Sequence, residues 1–341
     1  MTNDNVEVPI MLEKTESGLY VVSFILPRVH FKEPFFVDSL AKYFPVIKSQ
    51  IKLPEEDEPL ARPFIYDTND SRVVITPVDE FIKKHNQTMN EDRLGFIFHM
   101  SRCGSTLVSQ MLASNNSFFV LSEPGIINSI LDPAYDIKLS TRLALLRASI
   151  SSLIACSPHE CKIFFIKFRS WNVFYLNLIL KEFSNVKWIF IHRHGLEVLS
   201  SVFEKPPGWL RSRISYAKYF SQIVGVDSQT LKQMSVDEFS ARVLGTFCRT
   251  AIKNKSKNAK YIDYVNIVEN FFEVCTKHWG LNLSEIEKRE MINITKLYSK
   301  DVNKEKPFTS DSLLKTSQAS KIQIDLVSKF VEVERSNLIN K

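Results

Sequence analysis

Four short apolar segments, each followed by a segment with helical spacing, constrain the fold of this chain most strongly. The apolar segments are GFIFH at 95–99, FFVLS at 118–122, KIFFIK at 162–167 and VKWIFIH at 186–192. Strands that are apolar along their whole length are buried on both faces, as in a parallel sheet covered by helices. The pattern therefore predicts an α/β fold with three layers, α/β/α, around a central, mostly parallel sheet. Helices are predicted over 105–114, 141–155 and 171–183, and from residue 195 onward.

Polar residues collect where these apolar segments end. The segments lead into His99–Arg102, Ser122–Glu123, Lys167 and His192–Arg193. Ligands of parallel sheets bind beyond the carboxyl ends of the strands. We therefore expect these side chains to form one site at that edge of the sheet.

The first of these strand ends opens a loop that suits an anion. Its sequence, FIFHMSRCGSTLVSQML at 96–112, reads as a strand, a polar loop and a helix. Backbone N–H groups at a helix start, together with the helix dipole, attract negative charge. Gly104 allows close approach of the backbone, and Arg102 offers a charged fork. Ser105 and Thr106 can cap the helix or donate hydrogen bonds from their hydroxyls. The alternative to an anion site is therefore an ordinary capped helix start.

Two common loops that handle phosphate are excluded by single positions. The nucleotide-binding pattern G-x-x-x-x-G-K-[ST] requires a Lys after its second glycine, and here an Arg precedes Gly104 instead. A cysteine phosphatase places an Arg six residues after its Cys, and the residue six after Cys103 is Ser109.

The segment SRCGST at 101–106 resembles the 5′-phosphosulfate loop of sulfotransferases that use 3′-phosphoadenosine 5′-phosphosulfate (PAPS). A second motif of that family is an Arg at a strand end followed eight residues later by a Ser, and Arg193 and Ser201 match it. The resemblance covers residues 93–310 and implies a fold like that of the P-loop NTPases. It also implies transfer of the sulfuryl group from PAPS to a hydroxyl or amine, with 3′,5′-adenosine bisphosphate (PAP) as product and no required metal.

The resemblance assigns roles to individual residues. Glu123 matches the acidic catalytic base of the family. Lys167 matches a lysine that contacts the sulfonate or the bridging oxygen. Arg102 matches a residue that contacts the 5′-phosphate or the sulfonate. His99 is the rival base. Residues expected to hold the cofactor are Ser101, Arg102, Cys103, Gly104, Ser105, Thr106, Arg193, Ser201, Ser299 and Lys300. The last two belong to a segment at 298–308 that would close over the cofactor, with Lys304 and Lys306 behind them.

Other interpretations stay open from the sequence alone. A small-molecule kinase on a related fold would need Mg²⁺ and a carboxylate to hold it, and a non-catalytic relative would only bind an anion or a partner. Cys103 is an alternative nucleophile, because a helix N-terminus lowers a thiol pKa. CSPHEC at 156–161 and the pair His192 and His194 are weak zinc patterns, so no metal is expected.

Charge and cysteine content limit the classes of ligand and the type of fold that this chain can have. The formal net charge is +6 with acids interspersed, which fits an anionic ligand better than a nucleic acid. An odd number of cysteines, five, argues against a disulfide framework. The N-terminus lacks the pattern of a signal peptide, and no apolar run is long enough to span a membrane. A cytoplasmic protein is expected, with a small-molecule, lipid or peptide acceptor that the sequence does not identify.

Residues 1–90 carry no chemical motif and are expected to form an accessory region before a sulfotransferase-like domain at 91–341. Strands are predicted at 18–27 and 71–78, a helix at 33–44, and an acidic, Pro-rich connector at 52–63. A lid, a contact in a homodimer and a substrate-selecting module are the roles left open for this region.

Overall fold

The computed structural model describes residues 4–43, 66–303, 305–308 and 312–339, without the side chains of 312–314. The predicted connector at 52–63 lies outside these residues. The strands are β1 (Asn5–Thr15), β2 (Gly18–Pro27), β3 (Val73–Pro77), β4 (Leu94–His99), β5 (Phe118–Ser122), β6 (Ile163–Lys167), β7 (Lys187–His192) and β8 (Ala259–Asp263).

Helices connect and cover the strands within the described residues. They are α1 (Phe36–Leu40), α2 (Val78–His85), α3 (Ser105–Ala113), α4 (Gly125–Leu131), α5 (Leu139–Ala155), α6 (Leu176–Glu182), α7 (Gly195–Glu204), α8 (Gly208–Arg211), α9 (Ala217–Val224), α10 (Ser228–Gln233), α11 (Val236–Lys253), α12 (Ile267–Glu273), α13 (Glu285–Ile294), α14 (Ser312–Ser317), α15 (Lys321–Val327) and α16 (Val333–Ile339). Short 3₁₀ helices span Glu91–Arg93 and Ser170–Tyr175, and π-helical turns span Val274–His278 and Ser328–Glu332. No helix in the described ranges has the length and apolar character needed to cross a membrane.

Strands β4 to β8 form a parallel sheet in the order β5-β6-β4-β7-β8. Every residue of the central strand β4 is buried, as a strand with helices on both faces requires. The predicted α/β fold with a central parallel sheet and an N-terminal extension is confirmed. The order also places β4, which leads into the polar loop, between the strands that carry Lys167 and His192.

The N-terminal region forms a separate antiparallel sheet in the order β1-β2-β3. Strand β1 packs against α4 and α5, and the Tyr135 hydroxyl donates to the Leu12 carbonyl at 3.0 Å. The buried side chains of both sheets belong to one continuous hydrophobic cluster. The division of the chain between residues 90 and 91 stays a prediction.

Two predicted helices differ from the structure. The helix expected at 171–183 is a 3₁₀ helix up to Tyr175 and becomes α-helical only from Leu176. The side chain of Asn172 accepts a hydrogen bond from the Arg169 backbone N–H at 2.8 Å, and such local bonds compete with α-helical ones. In the described residues, the helix expected at 33–44 is limited to Phe36–Leu40.

Candidate active site

The polar ends of four parallel strands lie along one edge of the sheet. His99 ends β4, Ser122 ends β5, Lys167 ends β6 and His192 ends β7. The register pairs Ser122 directly with Lys167, and His99 with Ile191 of β7. The structure therefore brings together the strand ends that the sequence analysis expected at one site.

A buried ion pair between Lys167 and Glu123 is the centre of this edge. The Lys167 ammonium donates to Oε1 of Glu123 at 2.7 Å and to the hydroxyls of Thr106 and Ser122 at 3.3 Å each. Arg169 Nε lies 3.5 Å from the other carboxylate oxygen. Burial disfavours the charged carboxylate, but the charges of Lys167 and Arg169 outweigh it and lower the pKa of Glu123 to about 2. Glu123 is therefore ionised throughout the neutral range.

The two partners of this pair differ in access. The Lys167 side chain is only 1% exposed, whereas that of Glu123 is 18% exposed. A reacting molecule can therefore reach the carboxylate more readily than the ammonium. The ring of Phe35, from the N-terminal region, lies 4.9 Å from Lys167 Nζ, so this region contributes an apolar wall to the site.

The backbone around the ion pair is held in the left-handed region. Ser101, Arg102 and Glu123 have φ values of 77°, 50° and 63°, a conformation that costs a residue with a Cβ about 1–2 kcal/mol. Gly104 follows at φ 84°, where an added Cβ would lie 2.8 Å from Ile267 and the Tyr264 ring. Such strain persists only where the surroundings impose it, and it concentrates at functional sites.

Helix α3 begins without a side-chain cap. Its N-cap residue is Gly104, and none of the described side chains forms a capping hydrogen bond there. The expectation that Ser105 or Thr106 caps the helix is therefore wrong, because both lie within its first turn; the Thr106 hydroxyl accepts from Lys167 instead. Backbone donors at an uncapped helix start suit an anionic group.

His99 is a structural part of the loop. Its Nδ1 accepts the Ser101 backbone N–H at 3.1 Å, and its Nε2 lies 3.1 Å from the Phe168 carbonyl. These partners assign the proton to Nε2. Burial, and secondarily the charge of Lys167, lower the pKa of His99 to about 3. Since both ring nitrogens are engaged, the geometry favours Glu123 over His99 as the base.

Cys103 does not have the environment of a nucleophile. Its thiol is buried and donates to the Ile191 carbonyl at 3.1 Å. Burial raises the pKa of this thiol to about 12. The expectation that the helix N-terminus lowers the pKa is therefore wrong for Cys103, because desolvation outweighs the helix dipole.

The second predicted motif forms a buried charged cluster at the start of α7, with Arg193 two residues before the helix. Arg193 donates through Nε to Glu197 Oε2 at 2.7 Å, and its Nη2 forms an ion pair with the same oxygen. Its guanidinium lies 4.2 Å from the centre of the Tyr264 ring. One turn beyond Glu197, the buried Ser201 hydroxyl accepts from Lys315 Nζ at 2.8 Å. Arg193 thus lies two residues before α7 and pairs with Glu197 in it, while Ser201 lies one turn further along the helix with Lys315 as an added cation.

The C-terminal segment contributes Lys300 to the site. Burial, followed by the charges of Arg102 and Lys167, lowers the pKa of Lys300 to about 7. Ser299 is half-buried next to it. Lys306 is exposed and lies over the Tyr298 ring, and Lys304 lies outside the described residues. Of the predicted closing residues, Lys300 is the one that the structure couples electrostatically to the loop.

The site holds more positive than negative charge. The charges of Arg102 and Lys167 act on Lys300, and the carboxylate of Glu123 partly offsets them there. Arg102 Nε is buried and has no hydrogen-bond partner among the described residues. A buried charged donor normally has a partner, so this group and the start of α3 offer donors to an anionic group.

The zinc-like segment CSPHEC lies at the opposite end of β6. Cys156 donates to backbone carbonyls, and His159 lies 3.0 Å from Asp4. In the part of the chain that the structure describes, no group of three or more His, Cys, Asp or Glu side chains could hold a metal ion.

Sequence reasoning missed several residues that shape the site. Glu197 follows Arg193 at the i,i+4 spacing of helical ion pairs, so this partner was predictable. Tyr264, Lys315 and Phe35 are far in sequence from the residues that they contact, and no local pattern identifies them.

The chain matches no known family model and no curated protein. Among solved structures it is similar to sulfotransferase STF9 from Mycobacterium avium, with 10% identity over 75% of this chain and 81% of that one, and a TM-score of 0.48. Sulfotransferase STF1 from Mycobacterium tuberculosis H37Rv has 11% identity, coverages of 77% and 81%, and a TM-score of 0.43. Mouse sulfotransferase SULT7A1, complexed with PAP, has 11% identity, coverages of 79% and 97%, and a TM-score of 0.41.

Proposed function

We propose that this chain is a PAPS-dependent sulfotransferase that acts on a hydroxyl or amine of an acceptor. The observation that carries the proposal is the buried, unpartnered Nε–H of Arg102 in the strained loop beside Lys167. Together with the uncapped start of α3, it forms a set of donors aimed at an anion. The second cationic cluster, around Arg193, gives the site a place for a second phosphate.

The residues divide into two binding groups. The loop 101–106, Arg102 and Lys300 would hold the 5′-phosphosulfate end. Arg193 and Ser201 would hold the 3′-phosphate, and Lys315 would add charge there. Glu197 and the Tyr264 ring orient the Arg193 guanidinium, which reduces the ordering that binding would otherwise require.

When bound, PAPS supplies the sulfuryl group and its leaving group. Glu123 accepts the proton of the acceptor hydroxyl or amine at a carboxylate oxygen, and Lys167 stabilises negative charge that develops beside it. An anion next to Lys167 weakens the hold of that ammonium on Glu123, which raises the pKa of the carboxyl and makes it a better base. Phe35 and the buried surroundings of Lys167 keep water from this ammonium.

Cofactor binding can be tested by measuring the thermal stability of the protein with and without nucleotide. In the presence of a chelator, PAP is expected to raise the thermal midpoint; at a hundredfold excess over its Kd the stabilisation is about 2.7 kcal/mol. ATP with Mg²⁺ lacks a 3′-phosphate and should stabilise less. A larger effect of ATP with Mg²⁺ than of PAP would favour the kinase interpretation.

Arg193→Ala provides the control for the 3′-phosphate. It should weaken PAP binding by about 1.5–3 kcal/mol, the usual contribution of a charged hydrogen bond, and leave binding of adenosine 5′-phosphate nearly unchanged. Lys277→Ala, which removes a 74% exposed lysine from the surface, serves as the matched loss of one charge. Equal losses for both nucleotides would show that Arg193 does not contact the 3′-phosphate.

The affinity for PAP should depend on pH through Lys300. Its pKa is about 7 in the free protein, and a neighbouring phosphate raises it because the ammonium gains an opposite charge. Above about pH 7, binding therefore takes up a proton, and affinity should fall as the pH rises, by at most about tenfold per pH unit. Calorimetry in two buffers of different ionisation enthalpy measures this uptake.

Lys300→Arg is the control for that linkage, because arginine stays charged across this range. The variant should bind PAP with a flatter pH dependence than the wild type between pH 7 and 9. If Lys300→Arg retains the full slope, another group takes up the proton.

A further inference from the structure

The backbone on both sides of Arg193 is held by the C-terminal helices. Helices α15 and α16 are joined by the π-helical turn Ser328–Glu332. At the end of this turn, Glu332 Oε1 accepts the Gly195 N–H at 2.8 Å, which is the first N–H of α7. π-helical turns within α-helices are frequently found at functional sites.

Glu332 also begins a chain of ion pairs that returns to the sheet. Its Oε2 accepts from Arg335 Nε at 2.8 Å, and Arg335 NH1 donates to Asp263 Oδ2 at 2.9 Å. The same Asp263 oxygen lies 3.8 Å from His192 Nδ1. The network therefore contacts His192, directly before Arg193, and Gly195, two residues after it.

The third contact runs through Tyr264, the residue after Asp263. Its backbone N–H donates to the His192 carbonyl at 2.8 Å, and its ring lies against the Arg193 guanidinium. At Gly195 an added Cβ would lie 2.7 Å from a side-chain carbon of Val327, so a larger residue there would require the C-terminal helices or their side chains to shift. The backbone and the ring that orient Arg193 are thus both fixed to one docked unit.

We infer that Glu332 is a positioning residue for Arg193, and that the C-terminal helices set the geometry of the 3′-phosphate site. Glu332 acts through the backbone of residues 192–195 and through the Arg335–Asp263 pair. The inference rests on the proposed function for the identity of the ligand. Its consequence is selectivity: disturbing Glu332 should harm recognition of the 3′-phosphate and spare the 5′ end, which the loop 101–106 holds.

The test compares PAP with adenosine 5′-phosphate in calorimetric titrations of the full chain. Glu332→Ala is expected to weaken PAP binding about tenfold, through loss of a charged hydrogen bond, with little change for adenosine 5′-phosphate. Glu332→Gln keeps an oxygen for the Gly195 N–H and should retain more PAP affinity than Glu332→Ala. Glu334→Ala is the matched control, because it breaks the 2.7 Å pair with Arg249 that attaches the same helix elsewhere.

The outcomes separate the inference from the proposed function. Equal losses for both nucleotides, or the same effect from Glu334→Ala, would overturn the inference alone. If Glu332→Ala fails to fold, Arg335→Met removes the link to Asp263, and unchanged selectivity in that variant would overturn it. A wild-type chain that does not bind PAP would overturn both.

Discussion

Glu123→Gln is expected to lower kcat by about 10²–10⁴-fold, the range for loss of a general base, without weakening PAP binding. Glutamine keeps an oxygen that can accept from the Lys167 ammonium, which now lies 2.7 Å from Oε1, but it cannot take a proton from the acceptor. Removing a negative charge from the proposed binding site of an anionic nucleotide favours binding electrostatically. The effect should therefore appear in turnover and not in PAP affinity.

The acidity of the acceptor distinguishes a base from a merely structural carboxylate. A hydroxyl that is already acidic, such as that of 4-nitrophenol, needs less help with its proton. The loss caused by Glu123→Gln should be smaller for this probe than for an aliphatic alcohol. A loss of equal size for both acceptors would contradict the role of Glu123 as the base.

Ser122→Ala is the matched control for disturbance of Lys167. It removes one hydroxyl acceptor, at 3.3 Å from the ammonium, and leaves the carboxylate in place. Turnover close to that of the wild type is expected. If Ser122→Ala is as inactive as Glu123→Gln, the placement of Lys167, and not proton transfer, limits the rate.

The parallel sheet was predictable because each of its strands within residues 94–192 is apolar almost throughout. A strand that is buried on both faces must be apolar at nearly every position. The local sequence pattern therefore identified these strands and the shared edge at which they end. Strand β1 was not predicted. Its pairing with β2 is irregular between Pro9 and Met11, and such an irregularity interrupts the alternation by which half-buried strands are recognised.

The candidate site was predictable only as far as local sequence determines it. The nearness of Glu123 and Lys167 follows from parallel register, since Ser122 and Lys167 are direct partners. The left-handed backbone of Arg102 and Glu123 does not follow from their residue types, because tertiary packing imposes it. The contact between Phe35 and Lys167 likewise depends on how the N-terminal region docks.

The docking of the C-terminal helices depends on a glycine, and Gly245→Ala should therefore be the most destabilising small substitution in this part of the chain. Gly245 lies within α11, where an added Cβ would be 1.9 Å from the Phe330 carbonyl oxygen. The Phe330 oxygen belongs to the backbone, and the Cβ position is fixed by the backbone of α11, so neither atom can move away by a side-chain rotation. We expect a loss of about 3 kcal/mol in the free energy of unfolding, at the upper end of overpacking effects.

Helix propensity alone would predict the opposite change in stability for Gly245→Ala. Within a helix, alanine is favoured over glycine by about 1 kcal/mol, so a gain in stability is expected wherever the Cβ has room. Gly208, in α8, has no atom within 4 Å of an added Cβ. Gly208→Ala is thus the matched control: in urea unfolding, Gly245→Ala should be less stable than the wild type and Gly208→Ala at least as stable.

Gly245→Ala should also affect the proposed nucleotide site, because the displaced turn carries Glu332 away from Gly195. If α11 and the turn separate to admit the methyl group, the 2.8 Å hydrogen bond to Gly195 is lost and Arg193 loses its fixed backbone. The variant should then bind PAP less tightly while its affinity for adenosine 5′-phosphate changes little. The contrary result is that Gly245→Ala unfolds at the same midpoint as Gly208→Ala and binds PAP as the wild type does. It would show that the contact between α11 and Phe330 relaxes without consequence and that the C-terminal helices do not hold the site.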